Sequence, residues 1–324
     1  MKYLLSYSTS HYSKLFQYAR RRKHSLGRRI LSSLPAFLMM TLLFLFFQWY
    51  EGDSLPQSSA PHVAGTPGQM KIHYLDVGQG AAILAECDGH FMLIDGGDRS
   101  ASSFVVSYLE QLGITYLDIV LISHYDADHL NGVVGALNAF DCGTVLCPDY
   151  EADTKLYQSF LKVVHEKEIP LLHPAIGDQF TLGAASFSVI APVHYDYKDA
   201  NDNSIGIRLV NGNDSFLFTG DAEAESEEDF CALSTDLSCD AYYAGHHGSA
   251  SSSTWSLLER ALPEYVVISC GADNSYGHPH QETMEKMESI SAKVFRTDQQ
   301  GTILAISEGN GIQWQQEPFH DFSN

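Results

Sequence analysis

Residues 117–123 form an almost continuously apolar run that ends in His124-Tyr125-Asp126-Ala127-Asp128-His129. Such a run reads as a buried strand, and a buried strand rarely ends by chance in two imidazoles and two carboxylates within six residues. Side chains at i and i+2 of an extended segment share a face, which points His124, Asp126 and Asp128 to one side. A turn into a helix beginning near Leu130 then swings His129 toward the same place. Imidazole and carboxylate together suit Zn²⁺, Mn²⁺ or Fe²⁺. The ordinary alternative, a solvated polar turn, has no need of two imidazoles.

Three more segments repeat this plan of an apolar run followed by a polar turn. Residues 216–219 lead into Gly220-Asp221-Ala222-Glu223, Tyr243-Ala244 leads into Gly245-His246-His247-Gly248-Ser249, and residues 265–269 precede Tyr276-Gly277-His278-Pro279-His280. Each alone is weak, since strand–Gly–Asp also caps helices and a His-rich turn is more often surface. Four of them gathered on one sheet edge make an active site. Around them, residues 72–77, 81–85 and 91–94 read as an early antiparallel meander punctuated by glycine. Residues 104–112, 130–140, 156–167, 253–261 and 282–290 have helical spacing, and 187–190 and 205–210 are strand-like. Strands followed by mixed β and α units predict an α/β fold with two packed sheets and helices outside.

Charge divides the chain. Residues 1–50 hold eight Lys and Arg and no Asp or Glu, which leaves 11 basic against 40 acidic residues, a net of -29, for 51–324. Arg20, Arg21, Arg22, Lys23, Arg28 and Arg29 precede an uncharged stretch at 30–50, long enough as a helix to span a bilayer core of roughly 30 Å. Trp49 and Tyr50 at its end resemble an interfacial aromatic belt, and the positive cluster predicts a cytoplasmic N-terminus. A cleaved signal peptide fits less well, because Phe47-Gln48-Trp49-Tyr50-Glu51 offers bulky residues where small ones are needed. The expected organisation is therefore a basic cytoplasmic segment at 1–29, a transmembrane anchor at 30–50, a Ser/Pro/Gly-rich linker at 51–68 and one domain at 69–324. That places the chain in the plasma membrane as a single-pass protein, its catalytic domain extracellular. Six cysteines suit disulfides in an oxidising exterior and equally suit buried thiols.

Asp95-Gly96-Gly97, His124-x-Asp126-x-Asp128-His129, Gly220-Asp221, Gly245-His246-His247-Gly248-Ser249 and Gly277-His278-Pro279-His280, in this order, resemble the metallo-β-lactamase superfamily. More closely, with Leu75-Asp76-Val77-Gly78-Gln79-Gly80, Asp202-Asn203-Ser204 and Arg296-Thr297-Asp298, they resemble the domain at the end of ComEC-type competence proteins. The resemblance covers 71–307, without the ComEC channel portion. It implies an αββα four-layer sandwich with two divalent metal ions at the rim, Zn²⁺ or Mn²⁺, with Fe²⁺ a further candidate. His124 and Asp126 are then expected on one metal and Asp128 and His129 on the other, with Asp221 bridging and His247 or His246 completing the second. Asp95 is expected to orient ligands without binding metal. Asp126 stands where the superfamily commonly has histidine, a harder donor that favours Mn²⁺ or Fe²⁺. The usual third histidine of the first metal has no clear counterpart, and Asp202, Asn203 and His194 are the stand-ins.

The chemistry this implies is hydrolysis by a metal-activated hydroxide, with Asp128 at the metals and His246 or His278 protonating the leaving oxygen. Asn203, Ser249 and His280 are placed to hold substrate. The family points to a phosphodiester, DNA among them. Against DNA stands the absence of a basic stripe, because polyanion binding draws on clustered Lys and Arg. A small-ester or lactam hydrolase of the same fold, and a non-catalytic metal-binding module at the cell surface, are the alternatives.

Overall fold

Period-two alternation in the strands sorts their side chains into separate layers. In the computed structural model, which describes residues 67–319, the chain opens with an antiparallel meander of β1 (Met70–Tyr74), β2 (Ile83–Cys87) and β3 (His90–Ile94). It continues through α1 (Ser102–Gln111), β4 (Tyr116–Leu121), α2 (Ala127–Ala139), β5 (Asp141–Leu146), α3 (Lys155–Glu166) and β6 (Leu171–Leu172). Strands β3 to β6 are parallel, which the intervening helices make possible by carrying the chain back.

The second half repeats the scheme. Strands β7 (Gln179–Leu182), β8 (Ala185–Ala191), β9 (Gly206–Asn211) and β10 (Asp214–Phe218) pair antiparallel. Then α4 (Ala224–Cys231), β11 (Ala241–Tyr243), α5 (Trp255–Ala261), β12 (Tyr265–Ile268), α6 (Gln281–Ser289) and β13 (Lys293–Arg296) extend the sheet in parallel from β10. After α7 (Thr297–Gln300), β14 (Ile303–Ser307) and β15 (Ile312–Trp314) cross back to pair beside β1. The result is an eight-stranded sheet, β15-β14-β1-β2-β3-β4-β5-β6, and a seven-stranded sheet, β13-β12-β11-β10-β9-β8-β7.

Three apolar clusters correspond to the three interfaces of a four-layer α/β sandwich. Between the sheets lie Ile72, Tyr74, Ile83, Ile94, Leu121, Phe187, Phe216, Phe218, Val267 and Phe295. Outside the first sheet, Leu84, Leu93 and Val120 meet Val105, Leu109, Val133, Leu137 and Phe160 of α1 to α3. Outside the second, Leu217, Val266 and Ile268 meet Phe230, Leu257, Met284 and Met287 of α4 to α6. Burying each such side chain contributes roughly 1.5–3 kcal/mol. Helix α3 shows the logic locally. Tyr157, Phe160, Val163 and Val164 recur at helical spacing on its buried face, and Thr154 caps its start by accepting from the Tyr157 N–H at 3.1 Å.

The helix expected from Leu130 begins three residues earlier, at Ala127, with extended Asp126 as its N-cap and Asp128 in its first turn. A carboxylate there suits the positive end of the helix dipole. Asp128 and His129 therefore enter the site from a helix, not from an extended strand. All six cysteines are unpaired, and burial pushes thiols such as Cys142 and Cys147 up to about 11. The expected cytoplasmic segment at 1–29, the anchor at 30–50 and most of the linker at 51–68 lie outside the described residues. Among the described residues no helix is long and apolar enough to cross a membrane.

Candidate metal centre

Ligands in open α/β sheets gather beyond the carboxyl ends of the strands, and this molecule follows that rule in both sheets. Asp95 follows β3, His124 follows β4, Asp221 follows β10, His246 and His247 follow β11, and Ser269 follows β12. The polar groups they deliver meet at one place.

Three imidazoles are set there by what their Nδ1 atoms touch. His129 Nδ1 lies 2.8 Å from Asp95 Oδ2, and His247 Nδ1 lies 3.1 Å from the Ser269 carbonyl. Ser123 Oγ donates to Asp95 Oδ2 at 2.6 Å, so its lone pairs face His124 Nδ1 at 3.0 Å. In each case Nδ1 is the nitrogen that keeps its proton when the ring is neutral, so Nε2 is the lone pair turned inward to meet a cation. His129 Nε2 and His247 Nε2 face each other at 3.3 Å. His129 Nε2 is 3.2 Å from Asp221 Oδ2, and His247 Nε2 is 3.3 Å from both Asp221 Oδ2 and Asp128 Oδ2. His124 Nε2, wholly buried, has no partner in the protein.

Lone pairs and carboxylate oxygens packed this closely repel one another unless something positive lies among them. Ligand bonds of about 2.0–2.2 Å to a tetrahedral or octahedral cation space the donors at roughly 3.0–3.5 Å, which is the spacing seen. Two overlapping groups meet the requirement, His124–His129–Asp221 and Asp128–His129–His247, their donor atoms all within 4.8 Å of one another in each. The residues present fit a binuclear centre: the single Nε2 lone pair of His129 can serve one cation only, and Asp221, 3.2 Å from His129 Nε2 and 3.3 Å from His247 Nε2, is the donor that reaches both groups.

Electrostatics tell the same story in the metal-free protein. Burial alone lowers a histidine, as it does His124. In His129 burial is outweighed by Asp221 and Asp95, which hold it well above its usual range; in His247 it is outweighed by Asp221 and Asp128, which raise it to about 9. Burial pushes Asp128 and Asp221 up, but the same histidines prevail, taking Asp128 to about 2 and Asp221 well below the carboxylate range. The pocket is thus built to hold positive charge.

Of the other residues singled out in the sequence, Asp126 lies in neither group: its side chain is 55% exposed and its Oδ2 is 4.0 Å from His124 Nε2. His246 and His247 both have left-handed backbone, φ 49° and 55°, a strained state for non-glycine residues, and their rings diverge. His246 turns its Nε2 to within 3.8 Å of Asp221 Oδ2 while its Nδ1 meets Glu223 at 3.0 Å and Ser251 Oγ at 3.4 Å. His278 lies across from it, ring centroids 5.5 Å apart, with its Nδ1 3.3 Å from Gln79 Nε2. Burial and the neighbouring histidines lower His278 to about 4. Ser249, Asn203 and His280, expected at substrate, are placed differently. Ser249 and Asn203 are buried. Both ring nitrogens of His280 are engaged by backbone, the Ala250 N–H at 2.9 Å and the Tyr276 carbonyl at 3.2 Å. Glu223, Ser251 and Gln79 were assigned no role from sequence. Glu223, two residues after Asp221, was the one with a visible signal.

The Asp95 loop is clamped to α2 by contact no side chain would allow. Gly96 N donates to the His129 carbonyl at 2.8 Å and Gly132 N to the Gly97 carbonyl at 3.1 Å. A Cβ on Gly132 would fall 1.7 Å from the Gly96 carbonyl oxygen. This fixes Asp95 against His129.

The family model for the metallo-beta-lactamase superfamily matches residues 75–272. ComE operon protein 3 of Bacillus subtilis is 26% identical over 251 residues, which cover 72% of this chain and 32% of that one. Competence protein ComA of Neisseria gonorrhoeae is 25% identical over 86% of this chain and 38% of its own length, and Recombination protein 2 of Haemophilus influenzae is 29% identical over 72% and 28%. The chain thus spans about a third of the length of these relatives. Among solved structures, the metallo-beta-lactamase fold protein YhfI of Bacillus subtilis superposes with a TM-score of 0.51 at 16% identity, over 74% of this chain and all of that one. With its four-layer fold and converging His and Asp donors, the chain belongs to the metallo-β-lactamase superfamily and is a distant relative of the competence proteins.

Proposed function

We propose that this chain is a membrane-anchored, metal-dependent phosphodiesterase of the ComEC-like type, its catalytic domain held outside the cell by the apolar segment at 30–50. One observation carries the hydrolase reading: bare Nε2 atoms of His129 and His247 meet Asp128 and Asp221 oxygens at 3.2–3.3 Å. The residues that would hold the two cations are His124, Asp128, His129, Asp221 and His247. When bound, the cations supply Lewis acidity toward the scissile phosphate and an activated water.

The protein contributes position and protons. Asp95 and the Ser269 carbonyl hold the imidazoles in the one tautomer that presents Nε2 inward. His246 stands beside the centre without belonging to either donor group, oriented through Nδ1 by Glu223. With Nδ1 donating to Glu223, its Nε2 is a lone pair turned to the site, able to accept a proton from the attacking water and return it to the leaving oxygen. His278, neutral at pH 7, is a hydrogen-bonding wall opposite it.

Surface charge favours a small phosphodiester over a long polyanion. Lys71, Arg208, Lys286, Lys293 and Arg296 are each paired with a carboxylate, and Arg260 is spent on the Cys231, Leu233 and Thr235 carbonyls. Few cations are left to release counterions along a strand of nucleic acid. The relatives' names keep DNA as the second reading. Cleavage of bis-p-nitrophenyl phosphate and of single-stranded DNA by the full chain in mild detergent, with added Mn²⁺ or Zn²⁺, tests both. Metal-dependent cleavage of the small ester with little on DNA supports the first; the reverse supports the second. Bound metal without cleavage of either sinks the phosphodiesterase and leaves another ester or a lactam.

A further inference from the structure

The first donor group, His124–His129–Asp221, offers three protein atoms. A hard divalent cation takes more oxygen than one carboxylate gives, and a further buried oxygen that nothing satisfies would supply it. The segment that crosses this side is the turn Asn201–Asn203 and the residues after it. It is stitched to the site at both neighbouring strand ends: Ile205 N donates to the Ser123 carbonyl at 2.9 Å, and Asp221 N donates to Ser204 Oγ at 3.2 Å. Gly220 is wedged between Ser123 and Ser204, since a Cβ there would lie 2.7 and 2.9 Å from theirs. Ser204 thus packs against Gly220, which immediately precedes Asp221, and Ile205 is bonded to Ser123, which immediately precedes His124.

Three polar side chains near this segment were open as extra donors, and two are turned toward other partners. Asp202 Oδ1 accepts from the Glu223 and Ser226 N–H groups at the start of α4. His194 is engaged by Asp196 and Asp229 and stacks on Tyr197. Asn203 remains. Its side-chain NH₂ donates to the Asp199 carbonyl at 3.0 Å, which fixes the amide plane, and its Oδ1 is fully buried with no partner. A buried amide oxygen left unpaired loses the hydrogen bonds it would make in water, and His124 Nε2 is orphaned in the same way.

We propose that Asn203 Oδ1 is a ligand of the cation held by His124, His129 and Asp221. The proposal rests on the binuclear reading of the site. It makes Asn203 a metal ligand and not a substrate contact. A neutral amide oxygen adds a hard donor without further negative charge, which tilts this position toward Mn²⁺ over Zn²⁺.

The test is calorimetric titration of Mn²⁺ into the metal-stripped full chain, with metal content by mass spectrometry. Wild type is expected to bind two cations. Asn203→Ala is expected to keep one and to lose the other or bind it at least tenfold more weakly, with the metal-free circular dichroism unchanged. Asn203→Asp retains the oxygen and adds charge, so it binds two, the first more tightly than wild type. It also serves if the alanine variant fails to fold. Two cations in both variants at wild-type affinities overturn the ligand role and leave the binuclear reading standing. No cation in wild type overturns both.

Discussion

The two halves of the molecule share a plan and build their part of the centre in opposite ways. The first delivers His124, Asp128 and His129 from one junction, where β4 hands over to α2 within a few residues. The second delivers Asp221 and His247 from separate strand ends, each held by contacts distant in sequence. His247 is oriented by Ser269. The loop that follows it is fastened by Glu227 of α4, whose carboxylate accepts from the Ser253 and Thr254 N–H groups at 2.8 and 2.7 Å. A local junction concentrates ligands in sequence, while a dispersed half needs tertiary structure before its ligands mean anything. The first half should therefore fail by losing donors, the second by losing its scaffold.

The largest effect is expected from the local junction. Asp128→Ala removes a donor 3.3 Å from His247 Nε2 that would hold the second cation, and metal-dependent hydrolysis should fall by about a thousandfold or more, several kcal/mol of transition-state stabilisation. Initial rates at saturating Mn²⁺ check it; a fall of less than tenfold would place Asp128 outside the machinery.

The scaffold of the second half should show itself in pH dependence. Burial raises Glu227 from its ordinary 4.5 to about 7, against the opposing pull of the Thr254 and Ser253 donors. A carboxyl raised in the native state binds its proton more tightly there than in the unfolded chain. Its contribution is fully present below pH 4.5 and is lost as pH rises through 7. Between those limits wild type should lose about 3 kcal/mol relative to Glu227→Gln. Denaturant unfolding of both should give curves that separate as pH rises across that window, and parallel ones would remove Glu227 from the account.

Asp95→Asn probes the joint between the halves, because Asp95 sets the tautomers of His129 and, through Ser123, His124. Metal affinity should fall ten- to hundredfold with both cations still bound at saturation. Loss of only one would show that Asp95 serves a single site.

Legibility in the sequence follows the same division. His124 to His129 stood out because they adjoin a buried strand, and the strands around 187–190, 205–210 and 265–268 showed apolar runs. The junction was still misjudged by three residues, since nothing in Ala127-Asp128-His129 signals a helix start until Asp126 is seen as its cap. Helix α4, Ala-Glu-Ser-Glu-Glu-Asp-Phe-Cys, hides its burial in polar letters, and only its packing shows Ser226 and Glu227 to be interior. Strand β5 is half-exposed over Asp141–Thr144 and lacks a continuous apolar run. At the site, Asp221 and His247 were visible as residue types, but their approach to His129 and Asp128 at 3.2 and 3.3 Å belongs to the packing of the two sheets. Whether a histidine is a donor or a prop depends on what its Nδ1 touches, and no spacing rule separates His247 from His246 or His280.

Metal stoichiometry of the intact chain is the most direct test of the central claim. Full-length protein in mild detergent, stripped and then reloaded with Mn²⁺ or Zn²⁺, should hold two cations per chain, and Asp221→Asn, which alters the carboxylate nearest both groups, should weaken both together. A wild-type chain that retains no divalent cation, or an Asp221→Asn variant that binds two as tightly as wild type, would contradict the account.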